Sequence, residues 1–409
     1  KIALIEDGRL FELHEIKQNT DFVVGDIFVG KIKKLAPNLN AAFVNIGYEK
    51  DAFLHYQDLG PQYLTYRKFL QDTVSKRQQT SSLKNFQIQP EIDKHGTVDK
   101  VMAPQDEVLL QITKEPISTK GPRISTQISL TGRFLVLIPF DNKVSISKKI
   151  KSAEEKARLK TLIESIKPEG FGVIIRTVAE GKKVAELHND MNQLVDKWNV
   201  CFKNIQKNKT PAKVLSEEDK ASAILRDNFN QDFVSIICDD EQMVNDMKNY
   251  LEVIAPERKN IVQFYDSHIP LLEYYNVEKQ LKQSFGKHVN IPSSKGAYLV
   301  IEHTEALHVV DVNSGNNISS GTANKEHALN VNNMAATEIA RQLRLRDMGG
   351  IIVVDFIDMP NPDHRKELYE HLREEMKRDK AKHKILPPSK FGLIQITRQR
   401  VRPEKQIDT

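Results

Sequence analysis

The sequence is poor in cysteine and has no long apolar segment. Two cysteines, Cys201 and Cys238, occur far apart among 409 residues, and no CxxC pair is present. This content excludes a disulfide framework, supplies no cysteine cluster for zinc and predicts a reducing compartment, the cytoplasm. No apolar run approaches the roughly 18 residues of a membrane span. The first residues carry charges throughout, unlike a signal peptide, and the chain starts at lysine, which is consistent with further residues upstream.

A large excess of one charge is also absent, since the net charge is only +5. Length predicts two to four domains at about 150 residues each. Basic residues nevertheless concentrate between Met376 and Arg402, where nine lysines and arginines accompany one acid, Asp379. Such a basic tract predicts contact with a polyanion. A solvated helix end, at which cations complement the helix dipole, explains the tract equally well.

The N-terminal part of the chain has the pattern of β-structure. Residues 1–20 predict a hairpin around Asp7-Gly8 that should join a sheet formed elsewhere. Short strands from about 22 to 116 predict a small barrel, with a polar stretch at about 75–105 that we interpret as an insertion or mobile loop. Phe43 and Phe53 could stack bases, although burial in the core explains them better on the pattern alone. Three lysines lie nearby: Lys31, Lys33 and Lys34.

The middle of the chain, residues 117–288, gives weaker signals. A helical stripe at 187–202 predicts core packing. Arg176 and Thr177 follow an apolar strand, where a guanidinium and a hydroxyl could hold a phosphate. A surface salt bridge is the simpler interpretation of that arginine. Residues 223–288 predict a strand and an amphipathic helix without evident chemistry.

The last region carries the strongest signal. Residues 297–356 predict two strands, then a helix, then a third strand. The third strand is rich in β-branched residues, as strands covered on both faces are. Strand, helix and strand form a crossover unit with parallel strands. Asp311 and Asp355 should then meet at the carboxyl edge of the sheet, where open α/β sheets bind ligands. Asn313 should lie on the same face as Asp311.

Two adjacent carboxylates repel each other, and one proton or one divalent cation relieves that repulsion. Mg²⁺ favours sites with one or two carboxylates. For a single aspartate, the capping of a turn built from asparagine, serine and glycine is the better interpretation. For the pair, we interpret the pattern as a metal site. Asp358 has a different strand parity from Asp355, and we assign it a secondary role.

Three segments of the last region resemble the ribonuclease E/G family. They read "VVDVNSG", "EIARQLRLRDMGGIIVVDFIDM" and "KFGLIQITRQR". Further segments of the chain are similar to that family in the same order, namely "GDIFVGKIKKLAPNLNAAFVNIG", "KGPRISTQISLTGRFLVLIP" and "GVIIRT". Because no long disordered tail follows, the chain resembles the ribonuclease G branch of the family more than the ribonuclease E branch.

The resemblance implies a multidomain α/β and β architecture. Residues 1–21 and 223–288 would form a non-catalytic ribonuclease H-like subdomain, into which an OB-fold RNA-binding barrel at 22–116 is inserted. Residues 117–222 would sense an RNA 5′-monophosphate, and residues 289–409 would form a DNase I-like α/β catalytic subdomain with the basic tract.

The resemblance also implies roles for individual residues. Asp311 and Asp355 match metal-binding aspartates, and Asn313 matches an asparagine that assists at the scissile phosphate. Arg176 and Thr177 match the pair that holds the 5′-phosphate. Two further residues line that pocket in the family pattern, namely Gly132 and Val136. The residues expected to contact RNA are Phe43, Phe53, Lys31, Lys120, Lys390, Arg398 and Arg400.

The expected activity is Mg²⁺-assisted hydrolysis of single-stranded RNA, with Mn²⁺ as the other candidate ion. Products would carry 5′-phosphate and 3′-hydroxyl ends, a 5′-monophosphate would stimulate cleavage, and the cellular role would be processing and decay of mRNA and rRNA. Family members usually share zinc between protomers through a cysteine pair beyond the catalytic subdomain. This chain ends at Thr409 without that pair, so no zinc is predicted, and the homo-oligomer that the resemblance implies stays open.

Two other functions remain open on the sequence. One is an RNA-binding protein of the same fold without catalysis, and the other is a metal-dependent phosphodiesterase that acts on another nucleic acid.

Overall fold

The computed structural model describes most of the chain in two compact units. Backbone positions are described for residues 1–15, 22–116, 121–217, 220–230, 232–294, 296–315, 323–401 and 404–405, and side chains for the same residues except 220, 253 and 323–325. One unit comprises Lys1–Ile16 with Val234–Thr409, and the other comprises Lys17–Phe233.

The chain begins with an antiparallel hairpin, as predicted. β1 (Ile2–Glu6) pairs with β2 (Arg9–His14) across Asp7 and Gly8. These two residues have positive φ angles of 48° and 75°, as a type I′ turn requires. The sequence therefore determines this turn locally.

The described part of the unit formed by Lys17–Phe233 is rich in short strands. Its elements, in chain order, are β3 (Ile27–Ala36), β4 (Ala41–Asn45), β5 (Ala52–His55), α1 (Tyr63–Val74), α2 (Val98–Val101), β6 (Glu107–Lys114), β7 (Arg123–Ser125), β8 (Leu130–Thr131), β9 (Leu135–Pro139), β10 (Val144–Ile146), α3 (Ala153–Ile166), β11 (Phe171–Ile175), α4 (Val184–Lys207), β12 (Ala212–Leu215) and α5 (Lys220–Asn228).

Five of these strands close into a barrel in the order β3–β4–β5–β7–β6, because β6 pairs with β3 as well as with β7. Inward-facing side chains such as Ile32, Val44 and Leu54 are fully buried. The prediction of a small barrel is confirmed, and the barrel extends past residue 116 because it includes β7. The names and boundaries of the subdomains stay predictions.

The polar stretch at 75–105 is packed against the rest of this unit. Leu83 is buried in the core cluster that contains Trp198, and the Trp198 indole nitrogen donates a hydrogen bond to the carbonyl of Ser81 at 2.9 Å. Val98 and Met102 are buried in the barrel core. Scattered apolar residues therefore anchor this stretch to the unit, and its interpretation as an insertion stays a prediction.

A second sheet, β10–β11–β9–β8, packs beside helix α4. The predicted stripe on this helix is confirmed as core, since Leu187, Met191, Leu194 and Trp198 are buried. This packing fixes the ends of β9 and β11, next to which the predicted phosphate-binding residues lie.

The other unit combines the hairpin with the C-terminal part of the chain. Its further described elements are β13 (Ile236–Cys238), α6 (Glu241–Ile254), β14 (Val262–Phe264), α7 (Leu271–Tyr274), α8 (Val277–Phe285), β15 (His288–Asn290), β16 (Tyr298–His303), β17 (His308–Asn313), α9 (Ala323–Leu345), β18 (Gly350–Asp355), α10 (Pro362–Met376), β19 (His383–Ile385) and β20 (Ile394–Arg398).

Six of these strands form one sheet in the order β15–β16–β17–β18–β20–β19, in which β17 and β18 run parallel. The predicted strand, helix and parallel strand are confirmed. The expectation that the third strand is covered on both faces is wrong. Ile352 and Val354 are buried in the core that contains residues of α9 and α10, whereas Ile351 on the alternate face is 41% exposed.

The hairpin joins helices rather than a sheet. Leu10 and Leu13 of β2 are buried in a cluster with Val277, Leu281 and Phe285 of α8, and β1 and β2 pair only with each other within the described residues. The expectation that the hairpin extends a larger sheet is therefore wrong, because α8 offers an apolar face. None of the helices in the described ranges has the length and apolar character to cross a membrane.

Candidate active site

Two aspartates meet at one edge of the six-stranded sheet. Asp311 of β17 and Asp355 at the end of β18 are direct partners in the parallel register. Residues in register on neighbouring parallel strands point to the same face, so their side chains lie about 5 Å apart. Both residues are exposed. The structure thus confirms that the crossover brings the two carboxylates together.

Asn313 belongs to the same group. Its amide nitrogen Nδ2 donates a hydrogen bond to Oδ2 of Asp311 at 2.8 Å, because residues two apart on a strand share a face. The chain then turns at Gly315, whose φ is +65° and at which a Cβ would lie 2.3 Å from the carbonyl oxygen of Gly296. Glycine is required there, and the turn ends the strand immediately after the polar residues.

The electrostatics of the pair favour a bound cation. Partial burial raises the pKa of Asp355, and the negative charges of Asp311 and Asp358 raise it further. Asp358 therefore acts on this site more directly than strand parity suggested. The parity argument fails because β18 ends at Asp355, after which side chains no longer alternate between two faces.

The donor set fits a divalent metal ion. Two carboxylates lie side by side, and a neutral amide holds one of them. Mg²⁺ prefers such sites, in which one or two carboxylates leave positions for water and a phosphate oxygen. A divalent charge would also offset the repulsion that raises the pKa of Asp355. The arrangement can therefore support hydrolysis of a phosphodiester.

The predicted phosphate-binding residues lie together in the other unit. Nη1 of Arg176 donates hydrogen bonds to the carbonyl oxygens of Gly132 at 2.7 Å and of Arg133 at 3.3 Å. Thr177 follows directly, and its Oγ1 lies 2.9 Å from Oγ of Ser147. Val136 is on the adjacent strand, where it pairs with Ile174. The four predicted residues thus form one cluster beside the ends of β9 and β11.

Asp190 organises the turn in this cluster. Its carboxylate accepts hydrogen bonds from the backbone nitrogens of Arg133, Phe134 and Leu135, each at 2.9 Å. Burial raises the pKa of Asp190, while these hydrogen bonds oppose that shift. A Cβ at Gly132 would lie 2.7 Å from both carboxylate oxygens. Gly132 is therefore needed for the close approach of Asp190.

Sequence reasoning missed a competitor for the phosphate. Nη2 of Arg176 donates to Oδ1 of Asp227 at 2.7 Å, and the two side chains are 25% and 36% exposed. The salt bridge that was the simpler interpretation of the arginine is therefore present. No local motif announces Asp227, because it lies in helix α5, far along the chain. A phosphate at Arg176 has to replace or share this ion pair.

The barrel carries an aromatic pair on its outer surface. Phe43 of β4 and Phe53 of β5 are cross-strand partners with ring centroids 5.8 Å apart. Both are half-buried, whereas their neighbours along the strands lie inside. Nζ of Lys34 is 4.8 Å from the Phe43 ring centroid. The interpretation of these two phenylalanines as barrel core is wrong, because strand alternation turns them outward.

Lysines of the barrel differ in their surroundings. Lys31 lies opposite Asn45 and Glu107 in the strand register. Lys34 is the register partner of Phe43 and lies over its ring. Lys33 forms an ion pair with Asp51 at 2.9 Å. Lys120, which the resemblance implies for RNA contact, lies outside the described residues.

The basic tract separates into buried and exposed residues. Arg398 is 7% exposed. Its guanidinium donates to both oxygens of Asp379, at 2.6 and 3.1 Å, and to the carbonyl of Met348 at 2.9 Å. These contacts give Arg398 a structural role, because the only acid of the tract neutralises it in the core, and its contact with RNA stays a prediction.

Other basic residues remain accessible. Arg400 lies over Gly349, to whose carbonyl its Nε donates at 3.4 Å, and Lys390 is exposed. Beside Lys390, the ring of Phe391 is 86% exposed. A turn supports it, since Oγ of Ser389 accepts hydrogen bonds from the nitrogens of Phe391 and Leu393. Sequence reasoning did not single out Phe391. The available signal for its exposure was its position between Lys390 and Gly392.

Fold and site together define a class of protein. This is a mixed α/β chain with a closed five-stranded barrel and a paired-aspartate site at a sheet edge. A family model described as "Ribonuclease E/G family" matches residues 129–401. The chain is 37% identical over 381 residues to Ribonuclease E of Nostoc sp.. The aligned residues make up 92% of this chain and 51% of that protein. It is 33% identical over 403 residues to Ribonuclease G of Haemophilus influenzae, which covers 98% of this chain and 77% of that protein.

A further relative, Ribonuclease G of Escherichia coli, is 32% identical over 403 residues and covers 98% of this chain and 78% of that protein. The chain therefore belongs to the ribonuclease E/G family. It spans about half the length of the Nostoc relative.

Proposed function

We propose that this chain is an endoribonuclease that cleaves single-stranded RNA by Mg²⁺-assisted hydrolysis. The observation that carries the proposal is the in-register pair of Asp311 and Asp355 with Asn313 bonded to Asp311. Relatives named ribonucleases E and G support the choice of RNA. A role in RNA processing and decay in the cytoplasm follows as part of the proposal, whereas homo-oligomerisation stays a prediction from the resemblance.

The residues of the site have separable tasks. Asp311 and Asp355 would hold Mg²⁺, which when bound supplies positive charge for the phosphate and favours ionisation of a water molecule. Asn313 orients Asp311 through one N–H, and its second N–H can donate to a phosphate oxygen. In the reaction, a bond from water oxygen to phosphorus forms and the bond from phosphorus to the 3′ oxygen breaks. The proton ends on the 3′ oxygen, so the products carry 5′-phosphate and 3′-hydroxyl ends.

We propose that the aromatic pair of the barrel binds unpaired bases. Aromatic faces accept any base by stacking, and the nearby Lys34 adds a charge for the phosphodiester chain. In the other unit, Lys390 and the exposed ring of its neighbour Phe391 offer the same combination of cation and aromatic face. Both surfaces predict binding that weakens with salt, because phosphate contacts release counterions.

We also propose that a 5′-monophosphate stimulates cleavage by binding at Arg176 and Thr177. The hydroxyls of Thr177 and Ser147 lie 2.9 Å apart, and Thr177 directly follows Arg176. The phosphate would replace Asp227 as the anion at Nη2. Without a ligand, Arg176 is already paired with Asp227. A bound 5′-phosphate would therefore break this ion pair and change the contacts of helix α5.

The test uses a short, unstructured, A/U-rich RNA labelled at its 3′ end. Its 5′-monophosphate and 5′-hydroxyl forms are incubated with Mg²⁺, and the cut position and new ends are mapped. We expect internal cuts with 5′-phosphates, faster on the monophosphate form. Arg176→Gln should remove the difference between the forms, whereas the matched control Arg158→Gln, an exposed arginine of the same unit paired with Glu155, should retain it. Cyclic phosphate ends, or no cleavage of RNA that is bound, would contradict the proposal.

A further inference from the structure

Three metal-binding side chains converge away from the paired aspartates. His303 and His308 place their Nδ1 atoms 2.7 Å apart. Oε1 of Glu404 lies 3.1 Å from Nδ1 of His303, and Oε2 lies 3.7 Å from Nε2 of His308. One ligand atom from each residue falls within 4.8 Å of the others. His308 is buried, and Asp311 on the same strand is exposed, so the two groups lie on opposite faces of β17.

The backbone holds the two histidines in fixed positions. His303 ends β16 and His308 begins β17, and they are direct partners in the antiparallel register. The turn between them is closed twice, since the backbone nitrogen and Oγ1 of Thr304 both bond to the carbonyl of Leu307, at 3.0 and 2.7 Å. The rings meet at 84° with centroids 4.8 Å apart. The hairpin thus preorganises both imidazoles.

The partner of His308 determines which ring nitrogen is available. Nε2 lies 3.2 Å from the carbonyl oxygen of Gly349. A carbonyl only accepts hydrogen bonds, so this contact favours a proton on Nε2 and leaves the lone pair of Nδ1 facing the group. Metal-binding histidines are commonly oriented in this way by a carbonyl on the second nitrogen.

Glu404 is anchored by the next residue. The backbone nitrogen of Lys405 donates to the carbonyl of Arg346 at 2.9 Å, and its Nζ pairs with Asp347 at 2.6 Å. These contacts hold Lys405, and with it the adjoining Glu404, beside the end of α9. The carboxylate of Glu404 lies at the hairpin.

We propose that His303, His308 and Glu404 bind a zinc ion through their two Nδ1 atoms and a carboxylate oxygen. Two imidazoles and a carboxylate form a ligand set that suits Zn²⁺ and leaves a fourth position for water. Bonds of about 2.0–2.1 Å hold tetrahedral ligand atoms roughly 3.4 Å apart. The two Nδ1 atoms, now 2.7 Å apart, therefore need to separate by less than about 1 Å, and ligand atoms as far apart as 4.8 Å need to approach by about 1.4 Å. The ion would clamp the segment at Glu404 to the hairpin that leads into the strand carrying Asp311.

This site differs from the expectation drawn from the sequence, which predicted no zinc because a cysteine pair is absent. The proposed ligands come from a hairpin and from a segment far along the chain, so no spacing motif announces them. The inference is independent of the proposed nuclease activity. The competing explanation is a metal-free network in which Nδ1 of His303 donates a proton to His308 or Glu404.

The experiment titrates zinc into the full chain after removal of metals with a chelator. Asp311→Asn with Asp355→Asn serves as the background, so that ions at the paired aspartates do not contribute. Calorimetry should detect one zinc ion per chain. His303→Gln or Glu404→Gln in that background should weaken binding at least about tenfold. The matched controls His288→Gln and Glu302→Gln, both exposed residues of the same sheet, should bind as the background does.

Cobalt and heat supply readouts that do not depend on activity. Co²⁺ at the site should give visible absorption bands of low-symmetry coordination, and these should be lost in Glu404→Gln. Zinc should raise the melting temperature of the background and leave that of Glu404→Gln unchanged. Circular dichroism checks that each variant folds. The absence of stoichiometric binding, or equal binding by the background, His303→Gln and Glu404→Gln, would overturn the proposal and identify a metal-free network.

Discussion

Replacement of one of the two paired aspartates should stabilise the protein in the absence of metal. Asp311 and Asp355 are in-register neighbours, and their mutual repulsion contributes to the raised pKa of Asp355. Asp311→Asn removes one charge and keeps the shape of the side chain. The carboxamide oxygen can still accept the hydrogen bond from Asn313. The repulsion is therefore the main term lost, together with the charge assistance of this one exposed hydrogen bond.

The magnitude follows from the geometry. Side chains about one strand spacing apart, roughly 5 Å, repel by about 1 kcal/mol in water and about 3 kcal/mol at a dielectric of 20. Both aspartates are exposed, so the lower figure applies. A gain of about 1 kcal/mol corresponds to a rise of about 2–4 °C in the melting temperature of a unit of this size.

The assay is thermal unfolding in a chelator at low ionic strength, followed by circular dichroism. Tryptophan fluorescence is unsuitable, because the single tryptophan, Trp198, belongs to the other unit. The control is Asp363→Asn. Asp363 is an exposed acid in the first turn of α10, where loss of negative charge should cost about 0.3–1 kcal/mol. Replacement of aspartate by asparagine should thus raise the melting temperature at position 311 and lower it at position 363.

Salt provides a second check, since the gain should shrink toward zero in 1 M salt, where charges are screened within about 3 Å. A metal-free Asp311→Asn protein that is no more stable than the wild type at low salt would refute the reasoning, because the carboxylates would then not repel each other.

Four further predictions follow from individual contacts. Asp227→Asn should raise the preference for 5′-monophosphate over 5′-hydroxyl RNA about fivefold, the equivalent of about 1 kcal/mol for a lost exposed ion pair, and equal preference would contradict the competition. Phe43→Ala should weaken RNA binding by about 1–3 kcal/mol in a filter or anisotropy assay, whereas loss of its cross-strand contact with Phe53 should cost at most about 1 kcal/mol of stability. Arg398→Met should destabilise the protein by about 3–5 kcal/mol in denaturant unfolding, because Asp379 is left buried and unpaired; a small loss would show that Asp379 finds other partners. Burial raises the pKa of the Cys201 thiol to about 12, so a thiol reagent at pH 8 should modify it only after unfolding.

Features encoded by local patterns were predictable from the sequence. The Asp7-Gly8 hairpin, the core stripe of α4 and the parallel strands that carry Asp311 and Asp355 each follow from short-range periodicity and turn chemistry. The position of both aspartates at one edge also follows, because a crossover connection permits few arrangements.

Features that depend on contacts between distant segments were not predictable. Asp227 reaches Arg176 from helix α5, which is distant in sequence. The burial of Arg398 depends on its pairing with Asp379. The outward position of Phe43 required the pairing of β4 with β5, since hydrophobicity alone favours the core. Composition could not reveal that Ile351 of β18 is exposed on the face opposite the core.

The most direct test of the central claim measures RNA cleavage and RNA binding in the same samples as Mg²⁺ is varied. Wild type, Asp311→Asn, Asp355→Asn and the control Asp363→Asn are compared on one single-stranded RNA. The account predicts that Mg²⁺ restores cleavage to wild type and to the control, and that both site variants bind the RNA but fall at least about 10²-fold in rate, a loss of about 2.7 kcal/mol in transition-state stabilisation. Cleavage by Asp311→Asn or Asp355→Asn at the wild-type rate would contradict the account.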